Sequence, residues 1–166
     1  MRDDDAGTAA GRLKRLGIDL PSPPAPVASY VRAVRSGDLL FVSGQGPTVD
    51  GTPVITGKVG TDLDEEEGRE AARLCAINLL SVTHAELGSL DEVARIVKLL
   101  AWVASDGGFS RQPYVVNGAS DLLEEVFGDR GLHARSAVGT NQLPFDIAVE
   151  IEMVVEVRRG AREGPG

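Results

Sequence analysis

The chain has 166 residues, 42% hydrophobic and 25% charged, a composition that suits one globular domain with a sizeable core. A formal net charge of −8, without any cluster of five or more Lys and Arg, argues against a nucleic-acid partner, because phosphate backbones attract proteins by charge neutralisation. A single cysteine, Cys75, and two histidines, His84 and His133, exclude an internal disulfide, a cysteine-based zinc cluster and a His-rich metal site.

Residues 1–25 form an N-terminal extension, polar to about Gly11 and expected to be partly disordered, with a short helix in RLKRLGIDL. The opening MRDDDAGTAA lacks the apolar stretch of a signal peptide, and no run of about 18 apolar residues occurs, so a soluble cytoplasmic protein without a membrane segment is expected. PSPPAP, from Pro21 to Pro26, imposes an extended lead-in. SYVRAV and LLFVSGQ flank the turn signal Arg35-Ser36-Gly37-Asp38 and predict a β-hairpin. QGPTVDGTPVITGKVG, rich in Gly and Pro, reads as a loop with a short edge strand.

The segment DEEEGREAARLCAINLLSVTHAELG predicts a long helix. Asp64 caps it, Glu67 reaches back to the cap, and the acidic first turn sits at the positive end of the helix dipole. Ala71, Leu74, Cys75, Leu79 and Val82 share one face, and Gly88 ends the helix. VARIVKLLAWVAS, from Val93 to Ser105, reads as a buried strand. Pro113 opens a second helix that runs through NGASDLLEEVFG to Gly128. Arg135 to Asn141 and Ile147 to Val157 are the closing strands, and residues 159–166 are a disordered tail. The order ββαβαββ over residues 26–158 predicts an α+β domain with two helices on one face of a mixed sheet.

HARSAVGTNQLPFDIAVEIEMVVEV reads as two strands joined by a Pro-containing turn, with Arg135 set opposite a row of carboxylates. Period-two alternation separates Val149, Ile151, Met153, Val155 and Val157, which face the helices, from Glu150, Glu152, Val154 and Glu156. A solvated face is the ordinary reading of the second set. LLFVSGQ and VARIVKLLAWV, however, are apolar on both faces, and self-association is the simplest cover for such strands. Arg135 suits either a salt bridge or a carboxylate receptor, since its planar fork makes paired hydrogen bonds, and spacing leaves both open.

VASYVRAVRSGDLLFVSGQ, EEGREAARLCAINLL, VARIVKLLAWVAS and ARSAVGTNQLPFDIAVEIE together resemble the RidA/YjgF family, also called YjgF/L-PSP-like. The resemblance runs from about Pro26 to Val157, and its most specific part is arginine, then Leu-Pro, then Val-Glu-Ile-Glu. It implies a fold similar to trimeric chorismate mutase, with ligand clefts between neighbouring subunits. It further implies hydrolysis of reactive 2-imino and enamine acids to 2-ketoacids and ammonia, with no metal or organic cofactor. On this resemblance Arg135 grips the substrate carboxylate and Glu150 positions or activates water. Tyr30, Ser43 and Gly44 line the pocket, Ala137 stands where many members carry cysteine, and Asn117 corresponds to a helix asparagine. Gly139 and Thr140 replace the more usual charged-plus-Val pair, and the SDGGFSRQP loop departs as well. Both point to a side branch.

The remaining conspicuous residues have plain readings. Cys75 belongs to the core, His84 to the surface, and Trp102 to strand packing. His133 shares the strand side of Arg135 but reads as an exposed turn residue in preference to a support for that arginine. The DEEE run serves the helix start. Two further functions compete with the hydrolase: a metabolite-binding regulator that uses the arginine without turnover, and a ribonuclease or translation inhibitor, which the acidic balance disfavours. A chorismate-mutase-like reaction follows only from fold analogy.

Overall fold

The computed structural model describes residues 7–23 and 29–160. Its elements in chain order are α1 (Ala9–Arg15), β1 (Ala33–Ser36), β2 (Leu39–Gln45), β3 (Thr48–Val49), β4 (Thr52–Pro53), α2 (Glu65–Leu87), β5 (Val93–Ala104), α3 (Gln112–Phe127), β6 (Ala134–Thr140) and β7 (Val149–Val157). Five strands form one sheet in the order β1-β2-β7-β5-β6, and β3 and β4 form a separate small hairpin. β5 and β6 run parallel while the other neighbours run antiparallel, so the sheet is mixed.

The predicted β1–β2 hairpin is present, with Gly37 in its turn at φ +61°, a conformation glycine adopts without steric cost. α2 carries the predicted capping box: Asp64 accepts from the Glu67 amide at 2.8 Å, and the Asp64 amide donates to the Glu67 carboxylate at 2.8 Å. Gly88 closes the helix at φ +76°. Pro113 lies in the first turn of α3. The two long helices cover one sheet face and approach closely at Gly118, where a Cβ would fall 2.0 Å from the Arg69 carbonyl oxygen. Leu79, Leu80 and Val82 of α2 and Leu122, Leu123 and Val126 of α3 join Leu99, Ile151, Met153 and Val155 of the sheet in the core. Cys75 is buried among them, as expected.

Three expectations need correction. First, α1 starts at Ala9 and not within RLKRLGIDL: Thr8 caps it by accepting from the Gly11 amide at 3.0 Å, and Ala9 and Leu13 are buried in the core. The stretch up to Gly11 is therefore ordered from the cap onward. Residues 1–6, residues 24–26 of the proline-rich lead-in and residues 161–166 of the tail lie outside the described residues. Second, β6 and β7 are not neighbours, because β5 lies between them and pairs with both. Third, β5 is buried on one face only. Its Leu99, Ala101 and Val103 reach the core, whereas Leu100 and Trp102 lie half-buried on the helix-free face.

That face carries Glu150 and Glu152 on the central strand β7 and exposed apolar side chains toward both edges. Val34 is 55% exposed, Phe41 46% and Val138 43%. Among the described residues no helix is long and apolar enough to cross a membrane.

Candidate functional site

Arg135 pairs with Leu99 across β6 and β5, so it points to the same side as that buried leucine, toward α3. Three acceptors from α3 meet its guanidinium. Nη1 donates to Asn117 Oδ1 at 2.8 Å and to Ser120 Oγ at 3.0 Å, and Nη2 donates to the Pro113 carbonyl at 3.0 Å. Positions 113, 117 and 120 share one helix face at i, i+4 and i+7, which explains why one side chain reaches all three. The Pro113 carbonyl lies in the first turn of α3, and a carbonyl oxygen has two lone pairs, so it can accept from Arg135 as well as from within the helix. Burial lowers Arg135 from the ordinary arginine value and nearby Asp121 opposes this, but the group remains a cation at any working pH.

His133 is half-buried beside this cluster and is not the exposed turn residue its sequence position suggests. Its Nε2 lies 3.0 Å from Ser120 Oγ and its Nδ1 lies 2.6 Å from the Gly131 carbonyl oxygen. Burial pulls its pKa below the usual histidine value; the Gly131 carbonyl opposes this, and the Arg135 charge adds to it. Asn117, Ser120, Glu124, Gly131, Leu132, His133 and Arg135 line a cleft of about 250 Å³. Ser120 was not among the expected residues, although its helical spacing from Asn117 could have suggested it. A larger cleft of about 340 Å³ between α1 and the end of α2 is bordered by Lys14, the exposed His84 and Asp91, and holds none of the predicted residues.

Glu150 lies elsewhere. It pairs with Trp102, so its side chain belongs to the helix-free face. Burial raises its carboxyl above the usual glutamate value, and the charge of Glu152 raises it further. Its carboxylate rests against Gly44, where a Cβ would stand 2.2 Å from Oε1. The β2–β7 register shifts between Val42 and Gln45, so Ser43 and Gly44 form a bulge beside Glu150, a device that commonly re-aims side chains near sites. Ser43 Oγ donates to the Val31 carbonyl at 2.8 Å and ties the strand end to the segment carrying Tyr30, which is 46% exposed.

The structure therefore brings the predicted residues together in two groups. Arg135, Asn117 and Ala137 lie on the helix-facing side of β6 and on α3; Ala137 packs against the core. Ser43 and Gly44 of β2 and Glu150 of the central strand β7 lie together, with Tyr30 on the segment that leads into β1. Arg135 and Glu150 point to opposite faces, two strands apart and three residues out of step, roughly 10 Å in each direction. Within one chain they form neither an ion pair nor a common pocket. Among the described residues no three His, Cys, Asp or Glu side chains converge to hold a metal ion.

A family model described as "YjgF/chorismate_mutase-like, putative endoribonuclease" matches residues 10–157. Protein TCP17 of Trypanosoma cruzi is 50% identical over 153 residues, 92% of this chain and 96% of that protein. The 2-iminobutanoate/2-iminopropanoate deaminase of Dermatophagoides farinae is a more distant relative, 27% identical over 141 residues, 84% of this chain and 94% of that one. Among solved structures, the protein Atu1372 of unknown function from Agrobacterium tumefaciens superposes with a TM-score of 0.84 at 44% identity, over 93% of this chain and 94% of that one.

Proposed function

The chain belongs to the YjgF/RidA/L-PSP family, and on that premise we propose that it hydrolyses reactive 2-imino and enamine acids to 2-ketoacids and ammonia. The observation that carries this reading is the state of Arg135. Its guanidinium borders a cleft and is held by three neutral acceptors, and among the described residues no carboxylate lies within ion-pair distance of it. A partly desolvated guanidinium with no carboxylate at ion-pair distance is suited to receive an anionic ligand. A small 2-imino acid carries such a carboxylate next to its reactive carbon.

The imine carbon is already electrophilic, so orientation and a water activator are the main requirements. The Arg135 fork would hold the substrate carboxylate. Glu150, with its raised pKa, would take a proton from water as the oxygen adds to the imine carbon, and the nitrogen would gain a proton. Collapse of the resulting carbinolamine breaks the C–N bond, releases ammonia and leaves the ketone. Because the two residues point to opposite sheet faces of one chain, the site requires Arg135 and Asn117 from one subunit and Tyr30, Ser43, Gly44 and Glu150 from its neighbour. A homotrimer, the assembly the resemblance implies, provides such clefts, and the exposed Val34, Phe41 and Val138 are suited to be its buried contacts.

The test is ketoacid release from enzymatically generated imines, run across several amino-acid precursors. Wild-type protein should accelerate release. Glu150→Gln should still bind a 2-ketoacid by calorimetry while turnover falls about a hundredfold, the usual scale for a general base. Arg135→Lys should lose binding, since a point charge does not reproduce the fork. Wild-type protein that leaves every imine at its spontaneous rate would overturn the reading.

A further inference from the structure

We propose that Ser120 and His133 form a positioning relay that holds the Arg135 guanidinium with two parallel donors turned to the ligand carboxylate. The proposal deepens the reading above and rests on it. Guanidinium has five N–H donors. Among the described residues three are committed: both hydrogens of Nη1, to Asn117 Oδ1 and Ser120 Oγ, and one of Nη2, to the Pro113 carbonyl. Nε–H and the second Nη2–H remain, and two donors are the number a bidentate carboxylate accepts. Nη1 is thus the anchor that sets the orientation, and its saturation decides which edge of the fork is open.

The relay behind that anchor has a defined direction. A carbonyl oxygen only accepts, so the 2.6 Å contact with Gly131 places the hydrogen of His133 on Nδ1. In the neutral ring, which burial favours, Nε2 is then an acceptor, and the Ser120 hydroxyl donates to it across 3.0 Å. With its hydrogen so engaged, Ser120 Oγ turns a lone pair to Arg135 Nη1 at 3.0 Å. The chain of bonds runs from Arg135 to Ser120, His133 and the Gly131 carbonyl, each strengthening the next by polarisation. Without the imidazole acceptor the hydroxyl hydrogen is free to rotate toward the guanidinium and break the anchor. Glu124 on α3 borders the same cleft without contacting the relay. Neither Ser120 nor His133 contacts the reacting atoms in this scheme, so both are positioning residues.

The experiment compares wild type with Ser120→Ala, His133→Phe and His133→Gln in the imine assay and in calorimetric binding of 2-oxobutanoate. Ser120→Ala and His133→Phe should raise KM and weaken 2-oxobutanoate binding about tenfold or more, the scale of a hydrogen bond to a charged group, while kcat changes much less. His133→Gln retains an acceptor near the Nε2 position and should restore KM toward the wild-type value. A merely structural role for the imidazole predicts the reverse order, with Phe tolerated for its volume and Gln not. Native mass and circular dichroism identify a variant that fails to fold, and Ser120→Ala, a deletion of one oxygen, then carries the test. If wild type binds 2-oxobutanoate but releases no ketoacid from imines, the hydrolase reading fails and the relay is judged on binding alone. Unchanged KM and binding in Ser120→Ala overturn the relay, as does wild-type protein that neither binds nor turns over.

Discussion

Glu150 owes its place to a missing atom. Gly44 has no Cβ, and a methyl group there would stand 2.2 Å from Oε1 and 3.0 Å from Cδ of the glutamate. The obstructed group is the end of a flexible side chain, so Gly44→Ala should move the carboxylate without disturbing the fold. The expected outcome is a turnover loss of about tenfold or more from misplacement of the base, with a urea midpoint close to wild type. Wild-type turnover in Gly44→Ala would mean that the carboxylate position seen beside β2 has no part in the chemistry. The same contrast explains why Gly118 is a packing residue and not a site residue: the atom it would strike is backbone, the Arg69 carbonyl oxygen, which does not move aside.

Elements act here as rulers. α3 presents Pro113, Asn117 and Ser120 at helical spacing, and β6 delivers Arg135 opposite them, so the grip on the guanidinium is a property of one helix face docked on one edge strand. α2 supplies none of the hydrogen bonds to Arg135, but it packs along α3 through the Gly118 approach and the Arg69–Asp121 and Arg73–Glu125 ion pairs. The start of α2 depends on its capping box. Asp64→Ala leaves the Glu67 amide without its acceptor and should lower stability by about 1 kcal/mol, read as a lower urea midpoint at unchanged slope. An unshifted midpoint would show that water replaces the cap at no cost.

The whole molecule leaves a sheet face uncovered, with Val34 and Phe41 paired across the β1–β2 hairpin and Val138 on the opposite edge strand. Light scattering of wild type should give the mass of three chains. Phe41→Glu places a charge in the proposed contact and should yield a folded monomer that releases ketoacid no faster than buffer, because Arg135 and Glu150 of one chain face opposite ways. An active monomer would contradict both the assembly and the two-subunit site.

Much of the fold was legible in the chain because its signals are local. The alternation of Val149 to Val157, the Asp64 cap, Gly88 at the end of α2 and Pro113 at the start of α3 each depend on a few neighbouring residues, and each is present where the pattern placed it. Arg135 and Asn117 were nameable for a similar reason, through a resemblance carried by quoted residues, and their contact follows from one helix lying beside one strand. What local pattern does not contain is the phase between strands. Period two tells which residues of a single strand share a face, but the registers on β5, with Arg135 opposite Leu99 and Glu150 opposite Trp102, decide that the two point to opposite sides. His133 was misjudged on the same ground, since its burial comes from α3 folding over it and not from its neighbours in the chain. Sequence by itself determined the elements and the chemical types of the candidate groups; strand order and register, long-range outcomes of packing, decided that Arg135 and Glu150 of one chain face opposite ways.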